Sequence, residues 1–284
     1  MHSAKVIADS LSPDGVRLTT LEVTFPRIIL AEFNTHRVFS RNSASSRAIP
    51  VEKMLKIVRE NPYIPTHWGK NQKGMQAEEE LSEDLQKQAR DLWLEARDRA
   101  IGVVDDLLDL GLHKQITNRL LEPFMWHTVI VTSTEWSNWT HLRDNLAAHP
   151  EIQKAARCMS EAMALSTPRN IGYDDWHLPL IQSDESDIER DTLKKISVGR
   201  CARVSYLTHD GKRDHDADIA LHDRLLISGH MSPFEHIARP MIQQEWDLWG
   251  NEIGPWIPFC GNLRGWVSYR KEVPKEDDIL ALDT

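Results

Sequence analysis

Thr35-His36-Arg37-Val38-Phe39-Ser40-Arg41-Asn42-Ser43-Ala44-Ser45-Ser46-Arg47 is the densest run of chemistry in this 284-residue chain. It sets three arginines and a histidine among four serines, next to backbone amides that serines tend to leave outside helices. Forked guanidiniums with hydroxyl and amide donors are what a phosphate-bearing ligand requires. The same composition also describes an ordinary solvated loop between two elements, and the residues alone leave both readings open.

Working outward, the stretch upstream reads as two strands, Lys5 to Ala8 and Val16 to Thr24, joined at Ser12-Pro13-Asp14-Gly15, where proline and glycine suit a tight reversal. Pro26 is placed to open a helix through Ile28, Ile29, Leu30, Ala31 and Phe33, which delivers the polar stretch Asn34 to Pro50. Downstream, apolar residues at Leu81, Leu85, Leu92, Ala96, Val103, Leu107 and Leu110 predict one long or once-broken helix over 78–110, stopped by Gly111. Thr128 to Thr132 reads as a buried strand or helix turn, and Pro150 opens a helix towards Pro168. The Pro/Asp-rich segment Tyr173 to Ser186 divides an N-terminal part, 1–190, from a C-terminal part, 191–284, expected to form one intertwined domain. A helix from Asp216 to Ser228 ends at Gly229, and a charged tail begins at Lys275.

Composition narrows the classes. With 43 acids against 34 bases the net charge is -9, which argues against a polynucleotide coat but not against a small anion held by a local arginine cluster. Cys158, Cys201 and Cys260 are widely spaced, so neither a disulfide framework nor a cysteine metal site is written here, and a cytoplasmic compartment is expected. The N-terminus lacks the apolar core of a secretion signal, and 124–134 is too short to span a membrane.

A second cluster is Gly229-His230-Met231-Ser232-Pro233-Phe234-Glu235-His236. The nearest zinc-protease pattern needs histidine where Ser232 stands, so no metal is expected. His236 reads as a structural histidine, and His230, just past a glycine stop, as the one to face a cleft. Weaker groups are Leu142-Arg143 before Glu151-Ile152-Gln153, Ala202-Arg203-Val204-Ser205, and Arg264-Gly265-Trp266 with Tyr269-Arg270.

These motifs together resemble the flavin-dependent thymidylate synthases: the signature Arg-His-Arg, two residues, Ser, one residue, Asn, then Ser and Arg is close to Thr35 through Arg47. Gly229 to His236, Ala202 to Ser205, and Leu142-Arg143 with Glu151-Ile152 reinforce it. In that family the Ala-Arg-Val-Ser and Ser-Pro-Phe-Glu-His segments precede the Arg-His-Arg segment, whereas here they follow it, so the chain looks circularly permuted. The resemblance implies an α/β (α+β) fold, a mixed sheet wrapped by helices, in a homotetramer with shared active sites. It implies FAD as cofactor, NADPH and methylene-tetrahydrofolate as co-substrates, and dUMP, a pyrimidine deoxynucleotide monophosphate, as acceptor. Carried over, His36, Arg37, Arg143, Ser205, His230 and Ser232 would meet FAD. Glu32, Ser45, Ser46, Arg47, Gln153 and Arg270 would meet the nucleotide, and His230, Arg37 and Ser45 would serve the chemistry.

Departures from the signature matter. Its first arginine is Thr35, the glutamine three residues earlier is Glu32, and Glu-Ile-Arg has become Glu151-Ile152-Gln153. Arg41, Arg264 and Arg270 are candidate replacements for the missing cations. Glu32 or Gln153 would accept from a cytosine amino group, which an arginine cannot do, so a dCMP-directed or hydroxymethylating variant is the alternative. A non-catalytic nucleotide- or RNA-binding module is the alternative of another class.

Overall fold

A computed structural model describes residues 1–206, 213–249 and 257–274 of the chain. Strands β1 (Ser3–Leu11) and β2 (Arg17–Pro26) form the expected hairpin around Gly15, whose φ of 76° requires the left-handed region. Pro26 does not open a helix. It is extended, with ψ 134°, and pairs with Trp126 at the end of β2; a 3-10 turn, Arg27–Ile29, leads into the short α1 (Leu30–Phe33). The polar stretch after α1 contains a strand, β3 (Ser40–Ser43), because β4 (Trp126–Ser133) offers it an open edge. The two-residue β5 (Arg169–Asn170) completes a mixed five-stranded sheet of order β3-β4-β2-β1-β5, antiparallel except for β5 against β1.

The helices between these strands are α2 (Val51–Glu60), α3 (Glu83–Asp109), α4 (Lys114–Thr117), α5 (Ser137–Arg143) and α6 (Pro150–Ala164). Beyond β5 come α7 (Arg190–Ala202) and α8 (His215–Ile227). One face of the sheet buries Leu21, Val23, Phe25, Val129 and Val131 against Trp139 of α5 and Ile152, Ala155, Ala156 and Met159 of α6. The other face carries Ile130 into a cluster with Val198 and Cys201 of α7 and with Met231, Phe234 and Ile237. Period-two alternation along β2 and β4 therefore feeds two cores, one per face. A mixed sheet wrapped by helices on both sides is the architecture expected.

A third core joins α2, α3 and the turn Asn118–Phe124 through Met54, Leu55, Val58, Ile101, Val104 and Leu121. Here the expected face of α3 is corrected. The helix is unbroken, and Gly111 ends it at φ 78°, but Leu85, Leu92, Val103 and Leu110 are exposed, while Trp93, Ala100, Ile101, Val104 and Leu108 face the core. Between α6 and α7, Tyr173 to Ser186 runs inward in part: Trp176 and His177 are buried. The tail from Lys275 lies outside the described residues.

Candidate functional site

The Ser/Arg loop leaves the sheet where the Ala44 amide donates to the Thr128 carbonyl at 3.0 Å. From there its side chains divide between two sides. Ala44, Ser46 and Ile49 line a small pocket of about 170 Å³ with Arg27, Met125 and His127, whereas Ser45, Arg47 and Ala48 line a large cleft on the other side. The inner side is fixed. The Ser46 hydroxyl donates to Glu122 Oε1 at 2.7 Å, and Asn118 Nδ2 donates to the carbonyls of Ser46 and Ile49 at 2.8 and 3.0 Å. Asn118 is fully buried, so its two bonds hold the loop without competition from water. The consequence is that Ser45 and Arg47 are presented outward while the Ser46 hydroxyl is engaged within.

The opposite wall of the large cleft, about 670 Å³, is built from the end of α8 and the turn beyond it. Gly229, at φ 68°, stops α8, and the His230 amide donates back to the Leu225 carbonyl at 2.9 Å, closing the helix end. That reversal puts His230, Ser232 and Pro233 on the cleft, with His230 Nδ1 2.8 Å from the Ser228 hydroxyl. Asn42 Nδ2 donates to the Cys201 carbonyl at 2.8 Å, tying the loop to α7. His113 and Gln115 close the rim, and Arg224 adds a second guanidinium. Among the described residues no carboxylate lines this cleft, and neither Arg47 nor Arg224 has an ion-pair partner. Arg47 and Arg224 share this cleft with the hydroxyls of Ser45 and Ser232, donors of the kind a phosphorylated ligand requires, while the Ser228 hydroxyl is taken up by the helix end.

A second group forms around His36, which is buried with its ring edge-on to Trp139. Arg143 Nε donates to His36 Nε2 at 3.0 Å, and another Arg143 nitrogen to the Thr35 hydroxyl at 3.2 Å. Glu32 lies 3.8 Å from Arg143. Burial, then the charges of Arg143 and Arg41, push the His36 imidazole down to about 4, so it is neutral at physiological pH. Arg37 is exposed beside it.

The remaining expected residues are dispersed. Arg270 pairs with Glu235 at 2.6 Å in a smaller cleft of about 220 Å³ that also holds Ser40, Asn262 and Lys271. Arg264 pairs with Glu135 at 2.7 Å and packs over Phe259, and Arg41 lies 3.4 Å from the carbonyls of Phe33 and His36. Gln153 is half-buried on the first turn of α6, and the Ser205 side chain lies outside the described residues. The three cysteines carry no disulfide, and burial pushes all three thiols up, away from thiolate chemistry. Among the described residues no group of three or more His, Cys, Asp or Glu is placed to hold a metal ion.

Sequence reasoning did not single out Arg224, His113, Asn118 or Glu122. Arg224 carried one usable signal: it precedes Ser228 by one helical turn, on the stretch that ends at the His230 reversal. The others come from segments whose nearness to the loop is purely tertiary.

Fold and site define a mixed α/β protein whose Ser/Arg loop and Gly-His-x-Ser-Pro-Phe-Glu-His turn, far apart in sequence, face each other across one cleft that, among the described residues, no acid lines. The chain belongs to the Thy1 family: the family described as thymidylate synthase complementing protein matches residues 16–169. That span runs from β2 to β5 and contains the Ser/Arg loop, while Ala202–Ser205 and Gly229–His236 follow it, as in a permuted arrangement of the flavin-dependent thymidylate synthase fold. No curated protein matches the chain. Among solved structures, the UMP/dUMP methylase PolB from Streptomyces cacaoi, bound with 5-Br UMP, is 16% identical with a TM-score of 0.46, over 58% of this chain and 89% of that one.

Proposed function

We propose that this protein transfers a one-carbon unit from methylene-tetrahydrofolate to the pyrimidine ring of dUMP, with FAD as cofactor and NADPH as reductant. The observation that carries the reading is the meeting of Ser45 and Arg47 with His230 and Ser232 in one cleft, two motifs that the sequence separates. Arg47 and the Ser45 hydroxyl hold the nucleotide phosphate; Arg224 supplies a second cation. The donor set also fits FAD, whose diphosphate needs cations and hydroxyls without a competing carboxylate. FAD, when bound, supplies the hydride. The chain's own task is to bind, orient and exclude water, with His230 and Ser232 as the polar groups on the α8 side and neutral His36, held by Arg143, on the other.

Glu32 already faces Arg143, which leaves Gln153 as the residue to decide between uracil and cytosine. The shared-site homotetramer belongs to the same proposal. The exposed stripe Leu85, Leu92, Ala96, Val103 and Leu110, at spacings of seven and four residues, offers α3 a seam for a second copy.

The experiment mixes purified protein with FAD, removes the excess, and reads flavin absorbance. The loaded protein then receives NADPH, methylene-tetrahydrofolate and either dUMP or dCMP, with products read by mass. Methylated product from dUMP is expected. A colourless protein removes the enzyme reading, and turnover of dCMP alone moves the substrate to cytosine.

A further inference from the structure

Beneath the site, a line of buried polar groups crosses the sheet without serving the cleft directly. His236, the last residue of the 3-10 turn Ser232–His236, is fully buried and places Nδ1 2.8 Å from the Thr132 hydroxyl. Thr132 and Thr20, paired across β4 and β2, bring their hydroxyls to 2.6 Å. Thr20 lies 2.8 Å from Nε2 of His177, also fully buried, and His177 Nδ1 lies 2.9 Å from the Ser10 hydroxyl. Ser10 rims a separate cleft of about 740 Å³ beside Trp176 and Gln182. At the other end His236 Nε2 is buried with no partner among the described residues.

We propose that Ser10, His177, Thr20, Thr132 and His236 act as one tautomer-locked chain that positions the Ser232–His236 turn, and with it the cleft groups Ser232 and His230.

The argument is one of donor counting. Each hydroxyl donates once, and each neutral imidazole donates from one nitrogen and accepts at the other. Burial holds both histidines neutral, pushing them down to about 3. Four contacts joining five single donors leave one hydrogen spare; donors that converge on Thr20 or Thr132 satisfy the four contacts but bury that hydroxyl hydrogen without a partner. Running towards Ser10, both histidines carry hydrogen on Nδ1, the spare hydroxyl hydrogen points to the Ser10 cleft, and a lone pair is left at His236 Nε2. Running the other way, both carry it on Nε2 and a buried N–H is left unpaired, the costlier orphan. The run towards Ser10 is the arrangement that buries no N–H or O–H without a partner, so both histidines carry hydrogen on Nδ1, though about 60 residues separate them in sequence. A segment fixed only by apolar packing would not need this. The Ser232–His236 turn follows directly on the cleft residue His230, so the hydroxyl at Thr132 is the pin that sets its height on the sheet.

The test reads the imidazole tautomers of the protein by two-bond 1H–15N spectra, with Thr132→Val, Thr132→Ser and Thr20→Val as variants, and dUMP binding by calorimetry. In the wild type His177 and His236 should show the same tautomer, with hydrogen on Nδ1. Thr132→Val should release the His236 tautomer and weaken dUMP binding roughly tenfold, the effect of one buried hydrogen bond, and Thr132→Ser should restore both. Opposite tautomers in the wild type overturn the proposal, as does a Thr132→Val protein that keeps its affinity. If Thr132→Val fails to fold, Thr20→Val, which cuts the link between Thr132 and His177, should move the ring-nitrogen shifts of His236 through Thr132, and His236 shifts identical to those of the wild type overturn the proposal. Only the binding arm rests on the function proposed above: a wild type that does not bind dUMP defeats that reading, and the tautomers still decide this one.

Discussion

Arg143 donates its Nε–H to Nε2 of His36 at 3.0 Å, which makes the histidine an acceptor and fixes its hydrogen on Nδ1. A cation that bonds to an imidazole lone pair blocks protonation there, so the pair joins a permanent charge to a permanently neutral ring.

Replacing Arg143 with Gln should therefore raise the titration of His36 from about 4. It should stay below the ordinary value near 6.5, because burial is the larger cause and survives the substitution. An NMR titration of the ring decides it: an unchanged value would show that the Arg143 contact has no electrostatic weight.

Arg47→Ala should weaken dUMP binding about 10- to 100-fold, the scale of a charge-assisted hydrogen bond, and FAD binding far less. Arg224→Ala should weaken a phosphorylated ligand in the same direction, and both losses should shrink at high salt because the cleft is open to solvent. Calorimetry at two ionic strengths checks this. Equal losses of nucleotide and flavin in Arg47→Ala would remove its phosphate role, and an inert Arg224→Ala would take that guanidinium out of the site.

The packing of α7 on α8, which carries Arg224 and leads into the His230 reversal, rests on buried ions. Arg200 bonds both carboxylate oxygens of Glu185, at 2.6 and 2.7 Å, and Asp218 at 3.2 Å; Arg203 takes the other Asp218 oxygen at 2.7 Å. Arg200→Ala leaves Glu185 buried with only His215 beside it and Asp218 with only Arg203, and should cost about 3 to 5 kcal/mol. At Gly199 a Cβ would stand 2.4 Å from the Asp218 carbonyl oxygen, so Gly199→Ala should also force the helices apart. Urea denaturation measures both, and a loss under about 1 kcal/mol for Arg200→Ala would place this network with ordinary surface pairs.

The two decisive motifs and most of the elements could be read from sequence because they are local: Gly15, Gly111 and Gly229 mark reversals, and period-two alternation marks β2. What could not be read is tertiary. β3 exists because β4 has a free edge, and Pro26 stays extended because Trp126 pairs with it. On α3 two apolar stripes have similar spacing, and only the position of α2 decides which is buried. Arg264 and Arg270 read as spare cations, whereas Glu135 and Glu235 occupy them through folding.

The seam left open on α3 should matter for assembly. Leu92→Glu places a charge in the exposed stripe without touching the α2–α3 core, and should lower the oligomeric state seen by analytical ultracentrifugation while leaving the melting of each subunit's helices nearly unchanged. An unchanged mass would remove α3 as the seam.

Acid stability follows from the buried histidines. His127, His177 and His236 are each pushed down to about 3, with burial as the leading cause. In the unfolded chain they titrate near 6.5, so below that pH the unfolded state binds more protons than the folded one. Stability is therefore highest above about 6.5 and falls as the pH drops towards 3, with each histidine contributing about 2 kcal/mol of loss by pH 5. Glu185, held down to about 2 chiefly by Arg200, adds to the loss only below the ordinary glutamate value near 4.5. Urea midpoints between pH 7 and 5 isolate the histidines, and with His36, held down to about 4, as the fourth such ring, unfolding near pH 5 should take up at least about four protons per molecule. His127→Gln should reduce that uptake by one, whereas a flat profile over this range would mean that the buried rings are charged or reach water.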